Sequence, residues 1–157
     1  MIKNGKSLLL GFVFRVTLVH VITYVIFGVL FLSVIGLYPE YYSHPAVKAY
    51  IRPTNDPLLT YAPLFQIIRG IIVGLGLYPF RRGVVNNKWG WLVLWGVLTA
   101  LQVIGAPNGT IETLIYTKVP IWFTLLNAPE VIIQMWAFSV WIFIWERRVD
   151  KRLNSTF

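Results

Sequence analysis

Val16–Pro39 reads VTLVHVITYVIFGVLFLSVIGLYP and contains no Asp, Glu, Lys or Arg. A helix needs about 20 largely apolar residues to cross a ~30 Å hydrocarbon core, and this stretch supplies them alone. The apolar run reaches back to Leu8 if Arg15 stands at its edge. It is longer than the roughly 7–15 residues of a signal-peptide core, and no small-residue cleavage site follows, so it reads as a retained span. Three further blocks repeat the pattern. Pro57–Phe80 has Arg69 as its one charge, Trp89–Ile111 has none, and Val119–Trp145 has Glu130. In lipid the backbone must close its hydrogen bonds within the segment, so these blocks are helices and not open strands.

Composition agrees. Of 157 residues, 57% are hydrophobic, 16% aromatic and 13% charged, with a mean hydropathy of +0.66. A soluble domain is roughly 45–50% apolar and about a quarter charged. Disordered chains are poor in aromatic and branched apolar residues, so disorder is excluded. The absence of Cys excludes disulfide frameworks, thiolate metal sites and Cys nucleophiles. The expected fold is an all-α integral membrane protein, a bundle of four transmembrane helices forming one polytopic domain over residues 1–157. Its spans cover about 8–38, 58–80, 89–106, and 120–148 or 128–148, with an outer loop at 39–57.

The net charge of +8 carries topology. Four spans put the N-terminus, the second loop and the C-terminus on one side, with Lys3, Lys6, Arg15, Arg81, Arg82, Lys88, Arg147, Arg148, Lys151 and Arg152. The other side carries Lys48, Arg52 and Lys118, balanced by Glu40, Asp56 and Glu112. Cytoplasmic loops are the ones enriched in Lys and Arg, so both termini are expected in the cytoplasm of an inner or plasma membrane protein. Tyr38, Tyr41, Tyr42, Tyr50 and Tyr61 then form an outer aromatic belt, and Trp89, Trp91, Trp141 and Trp145 an inner one. A pI near 10 raises nucleic-acid binding, but bases that flank apolar spans fit the bilayer and its anionic head groups instead.

Prolines punctuate the loops. Pro39, Pro45, Pro53 and Pro57 divide the first outer loop, and Ala46–Arg52 reads as a short interfacial helix that Ser43 would cap. Asp56-Pro57 reads as cap and first residue of the second span, with Pro63 as a later start. Asn127-Ala128-Pro129-Glu130 carries a cap residue, an early proline and a glutamate three residues after the cap. The last span is therefore expected to start there, with Ile111–Leu126 a separate short or re-entrant helix. The alternative is a start near Pro120 with a kink at Pro129.

Ionisable residues inside spans are costly and face the bundle interior or a wet cavity. Arg69 and Glu130 are the two here, and an Arg69–Glu130 pair is the simplest arrangement, with Glu112 competing. Gln66 and Arg69 share a helix face, as do Glu130 and Gln134, and Gln102 lies in the same outer half. This polar layer reads either as hydrogen-bond glue between helices or as a solute site open to the outside. On the first span Thr17, His20, Tyr24 and Gly28 form one stripe, a packing face or, through His20, a proton carrier. A haem or metal would need a second buried histidine, and His44 lies in the outer loop, so no cofactor is expected. Gly70-x-x-x-Gly74 permits close approach of a helix, from the same chain before a second copy.

The catalytic motifs of soluble hydrolases and nucleotide enzymes are absent. Two functions from different classes stand. One is binding or transport of a small solute at the polar layer, with Arg69 attracting an anion. The other is a non-catalytic subunit of a membrane complex, associating with another membrane subunit or a second copy. An intramembrane enzyme using Glu112 and Glu130 comes third.

Overall fold

A computed structural model describes residues 5–35, 43–50, 52, 56–104 and 115–155. Every regular element among them is helical. Helix α1 (Gly5–Ile35) has an apolar surface on all sides, yet it buries a stripe of Phe12, Val16, Val19, His20 and Thr23 at helical spacing. Helix α2 (Pro45–Tyr50) follows. A 3-10 turn (Pro57–Tyr61) leads into α3 (Ala62–Leu77), a second 3-10 turn (Tyr78–Phe80) and α4 (Arg81–Asn86). Helix α5 (Gly90–Thr99) continues as a π-helical turn (Ala100–Ile104), and α6 (Ile121–Asn154) closes the chain.

Glycines decide two close approaches. Gly70 and Gly74 of α3 are buried against α1, where a Cβ would stand 2.8 Å from Thr17 Cα and 3.0 Å from Val13 Cα respectively. The Gly-x-x-x-Gly spacing is thus used within the chain. At the α4–α5 turn, a Cβ on Gly90 would lie 1.8 Å from the Val84 carbonyl oxygen. The Asn87 side chain accepts the Trp89 N–H at 3.0 Å there and holds the reversal.

Helix α1 packs on α3 and on α6, and α6 also packs on α5. Their shared core is Phe12, Val16, Val19, Leu94, Phe138 and Ile142. At the other end of the bundle, Val47 of α2 is buried with Val119 and Phe123 and packs with Phe31 and Trp122. The segment after α1 therefore docks a helix, α2, onto the bundle. His44 helps to cap it, its Nδ1 accepting the Ala46 N–H at 3.3 Å and its carbonyl the Val47 and Lys48 amides.

One expectation is met in part and one is corrected. Among the described residues, three helical stretches are long and apolar enough to cross a membrane: Lys6–Val34, Ala62–Asn86 and Ile121–Asn154. The third apolar block is helical over Gly90–Ile104, ten α-helical residues and five in the π turn, which fall short of a ~30 Å core. A span there reaching residue 106, as expected for a fourth crossing, would run into residues outside those described. The last helix starts at Ile121, not at Asn127, and Pro129 lies inside it. Asn127 does not cap; its Nδ2 donates to the Phe123 carbonyl at 2.6 Å, one turn back. Pro129 has no N–H and so leaves the Leu125 carbonyl, four residues back, without its helical donor; membrane helices tolerate such a proline where side chains and neighbouring helices satisfy the freed group.

Large side chains such as Leu10, Phe14, Ile72, Leu101 and Leu125 point outward from these helices. In water that much contiguous apolar surface would drive association. In a bilayer it is the matched surface.

Candidate functional site

Polar side chains gather in two places. In the upper one, His20 is 4% exposed, and its Nε2 donates to Gln66 Oε1 of α3 at 3.0 Å. The imidazole stands edge-on to Phe138 of α6, with ring centroids 6.2 Å apart. Gln134, also buried, lies one turn from Phe138 on the same face of α6. Thr23 turns back on its own helix, its hydroxyl donating to the Val19 carbonyl at 2.8 Å. Thr17 backs onto Gly70, and its buried hydroxyl finds no partner among the described residues. Tyr24 is half-buried and makes no hydrogen bond among the described residues.

One turn along α3 from Gln66, Arg69 Nη2 donates to Gln102 Oε1 at 2.8 Å. Gln102 sits in the π-helical turn, whose extra residue re-aims the side chain; such turns are frequent at functional sites. The expected Arg69–Glu130 ion pair is not formed. Because α6 starts at Ile121, Glu130 lies more than two turns inside the helix and not in its first turn. Its carboxylate is half-buried, without an ion pair or hydrogen bond among the described residues. Glu112 lies outside the described residues. The structure thus joins His20 to Gln66 and Arg69 to Gln102, while Glu130 and Gln134 stay apart from both pairs.

The second place was not foreseen. Glu146 is 1% exposed; its Oε1 accepts Arg15 Nε, and its Oε2 accepts Arg81 Nε at 2.6 Å. Arg81 also reaches Asp150 Oδ1 at 3.3 Å. The beginning of α1, the beginning of α4 and the end of α6 are tied through one carboxylate. Two arginines meet two acids, so the cluster is neutral. Above it is a void of about 20 Å³, lined by Arg81, Glu146 and apolar side chains such as Phe12 and Leu94, room for about one water. The sequence signal was Glu146 and Asp150, one turn apart directly after the last apolar block, the only acids among that end's bases. Along α1 the five residues from Arg15 to His20 separate the two places by roughly 8 Å.

Compared with protein-family models, with curated proteins and with solved structures, the chain finds no match. The functional reading rests on this geometry.

Proposed function

We propose that this is a small integral membrane protein that binds, and moves across the bilayer, a small anionic solute at Arg69. The solute enters from the end opposite the basic cluster. The supporting observation is a contrast among arginines. Arg15 and Arg81 share Glu146 and Asp150, whereas Arg69, inside a span, is held among the described residues by a neutral amide alone. An arginine at membrane depth marks a substrate path or a counter-ion site, and a guanidinium presents paired donors suited to carboxylate or phosphate. The His20–Gln66 pair adds a polar wall beside it, and the Arg15–Glu146–Arg81 cluster closes the bundle beyond. By the distribution of its bases, the closed end with both termini faces the cytoplasm.

The test uses proteoliposomes on a solid-supported membrane, challenged with chloride, phosphate, sulfate, acetate and glutamate. At least one anion should evoke a current, and Arg69→Gln should weaken its apparent affinity about ten- to a hundredfold, the loss of a charge-assisted hydrogen bond. Arg69→Lys should keep part of it. If no anion in the panel evokes a current, or Arg69→Gln behaves as the parent, the reading fails.

One observation favours a second reading. Arg69 is exposed on the surface of the bundle, where a carboxylate on a partner's helix would serve as well as a solute. The protein is then a non-catalytic subunit. Native mass spectrometry from source membranes separates the two, because only a subunit carries a second polypeptide in fixed ratio. The enzyme reading depends on Glu112, outside the described residues.

A further inference from the structure

Helix α6 runs on past the ion cluster, and its final turns carry Arg147, Arg148, Lys151 and Arg152. The acids interspersed with them, Glu146 and Asp150, are already paired with Arg15 and Arg81 from other helices. Arg148 and Lys151 make no ion pair among the described residues, and Arg147 lies 5.2 Å over the Phe143 ring. The tail's own acids are thus neutralised from within the bundle, and Arg148 and Lys151 keep their charge for something outside.

A shaped surface accompanies that charge. Trp141, Trp145, Arg148 and Arg152 follow one another at i, i+4, i+7 and i+11, a single helical face. With Ile144 and Val149 they line an open groove of about 330 Å³. The groove grades along the helix axis from apolar through aromatic to cationic over roughly 16 Å. Tryptophan settles at the head-group level of a bilayer, and arginine reaches past it towards water. This is the order of parts in a phospholipid: acyl chain, glycerol, phosphate.

We propose that this groove is a binding site for one anionic phospholipid, its phosphate held by Arg148 and its acyl chain lying on Trp141 and Ile144. The site is separate from the Arg69 layer and does not depend on the function assigned there. It differs from general attraction to an anionic surface in being local: one particular base matters, and others at the same end do not.

The protein, extracted in mild detergent, is incubated with equal amounts of phosphatidylglycerol and phosphatidylcholine of matched acyl chains, and retained lipid is read by native mass spectrometry. Phosphatidylglycerol is expected to be retained preferentially. Arg148→Gln should weaken its retention about fivefold, the usual contribution of one base near an anionic surface. Arg148→Lys should restore most of it, and Arg82→Gln, an exposed base at the same end, should leave it unchanged. Excess glycerol 3-phosphate should not displace the lipid. Equal retention of the two lipids, an equal effect of Arg82→Gln, or full displacement by glycerol 3-phosphate would each overturn the proposal. Should Arg148→Gln fail to fold, the parent alone decides. Brominated phosphatidylglycerol must quench its tryptophan fluorescence more than brominated phosphatidylcholine, and equal quenching rejects the site.

Discussion

Glu146 ties three helices together through one carboxylate. It is buried to 1% exposure and meets two guanidiniums from elements far apart in sequence. Removing one member of a buried ion cluster leaves its partners charged in a poor solvent, which typically costs about 3–5 kcal/mol. Glu146→Ala should therefore lower stability by about that much in denaturant titrations of the detergent-solubilised protein. Asp150→Asn should cost less than about 1 kcal/mol, because Asp150 is more exposed and makes a single contact at 3.3 Å. Equal effects would mean that the cluster does not tie the bundle together through Glu146. Asp56 offers a pH-dependent case just before the 3-10 turn that leads into α3. The Leu58 N–H and then the Arg52 guanidinium hold its carboxyl below its ordinary value of 3.8. A depressed folded value means that the cap contributes above pH 3.8 and is lost as pH falls through the lower, folded value. The Leu58 amide resonance should thus titrate with a midpoint below 3.8, and Asp56→Asn should abolish that titration; a midpoint at or above 3.8 would contradict the geometry. At this scale the sequence showed which residues were unusual but not their partners. His20, Gln66, Arg69 and Gln102 stood out as polar groups in apolar blocks. That Arg69 meets Gln102 and not Glu130 depends on helix rotation and on a π turn, neither of which leaves a mark in spacing.

Among the elements, α3 fits closely against α1. Gly70 and Gly74 let the α1 backbone come close, whereas Gly76 and Gly83 face open space. Gly70→Val must push α1 away and should cost about 1–3 kcal/mol, the range for overpacked cores. Gly76→Val, one turn and a half further on, should change stability by less than about 0.5 kcal/mol. Measured by thermal unfolding in the same detergent, similar losses for both would show that α3 does not pack on α1 through this face. Helix existence was legible, because four apolar blocks stand out whatever their packing. Helix ends were not. Asn127-Ala128-Pro129-Glu130 has the composition of an N-terminus, and the structure runs a helix straight through it. Membrane helices tolerate an internal proline because side chains and neighbouring helices satisfy the freed backbone. A rule calibrated on caps facing water therefore misplaces the start.

For the molecule as a whole, the remaining question is which face each end presents, and the ion cluster constrains it. Arg15, Arg81, Glu146 and Asp150 meet, so the start of α1, the start of α4 and the end of α6 lie at one end of the bundle. Val47, Val119 and Phe31 meet at the other. Helix α6, with 34 residues, is about 51 Å long and exceeds a ~30 Å core with several residues to spare. Lys118, just before it, and Lys151, near its end, should therefore face opposite sides of the membrane. Lys88, in the α4–α5 turn, should share the side of Lys151. The chain has no native cysteine, so single replacements at these lysines report cleanly. An impermeant maleimide applied to intact cells should label Lys118→Cys and leave Lys88→Cys and Lys151→Cys unlabelled until the membrane is opened. The bias of Lys and Arg sets that direction. Labelling of Lys118→Cys and Lys151→Cys from the same side would mean that α6 does not cross. Labelling of Lys88→Cys and Lys151→Cys from outside, with Lys118→Cys protected, would keep the fold but invert it, and Arg69 would then open towards the cytoplasm.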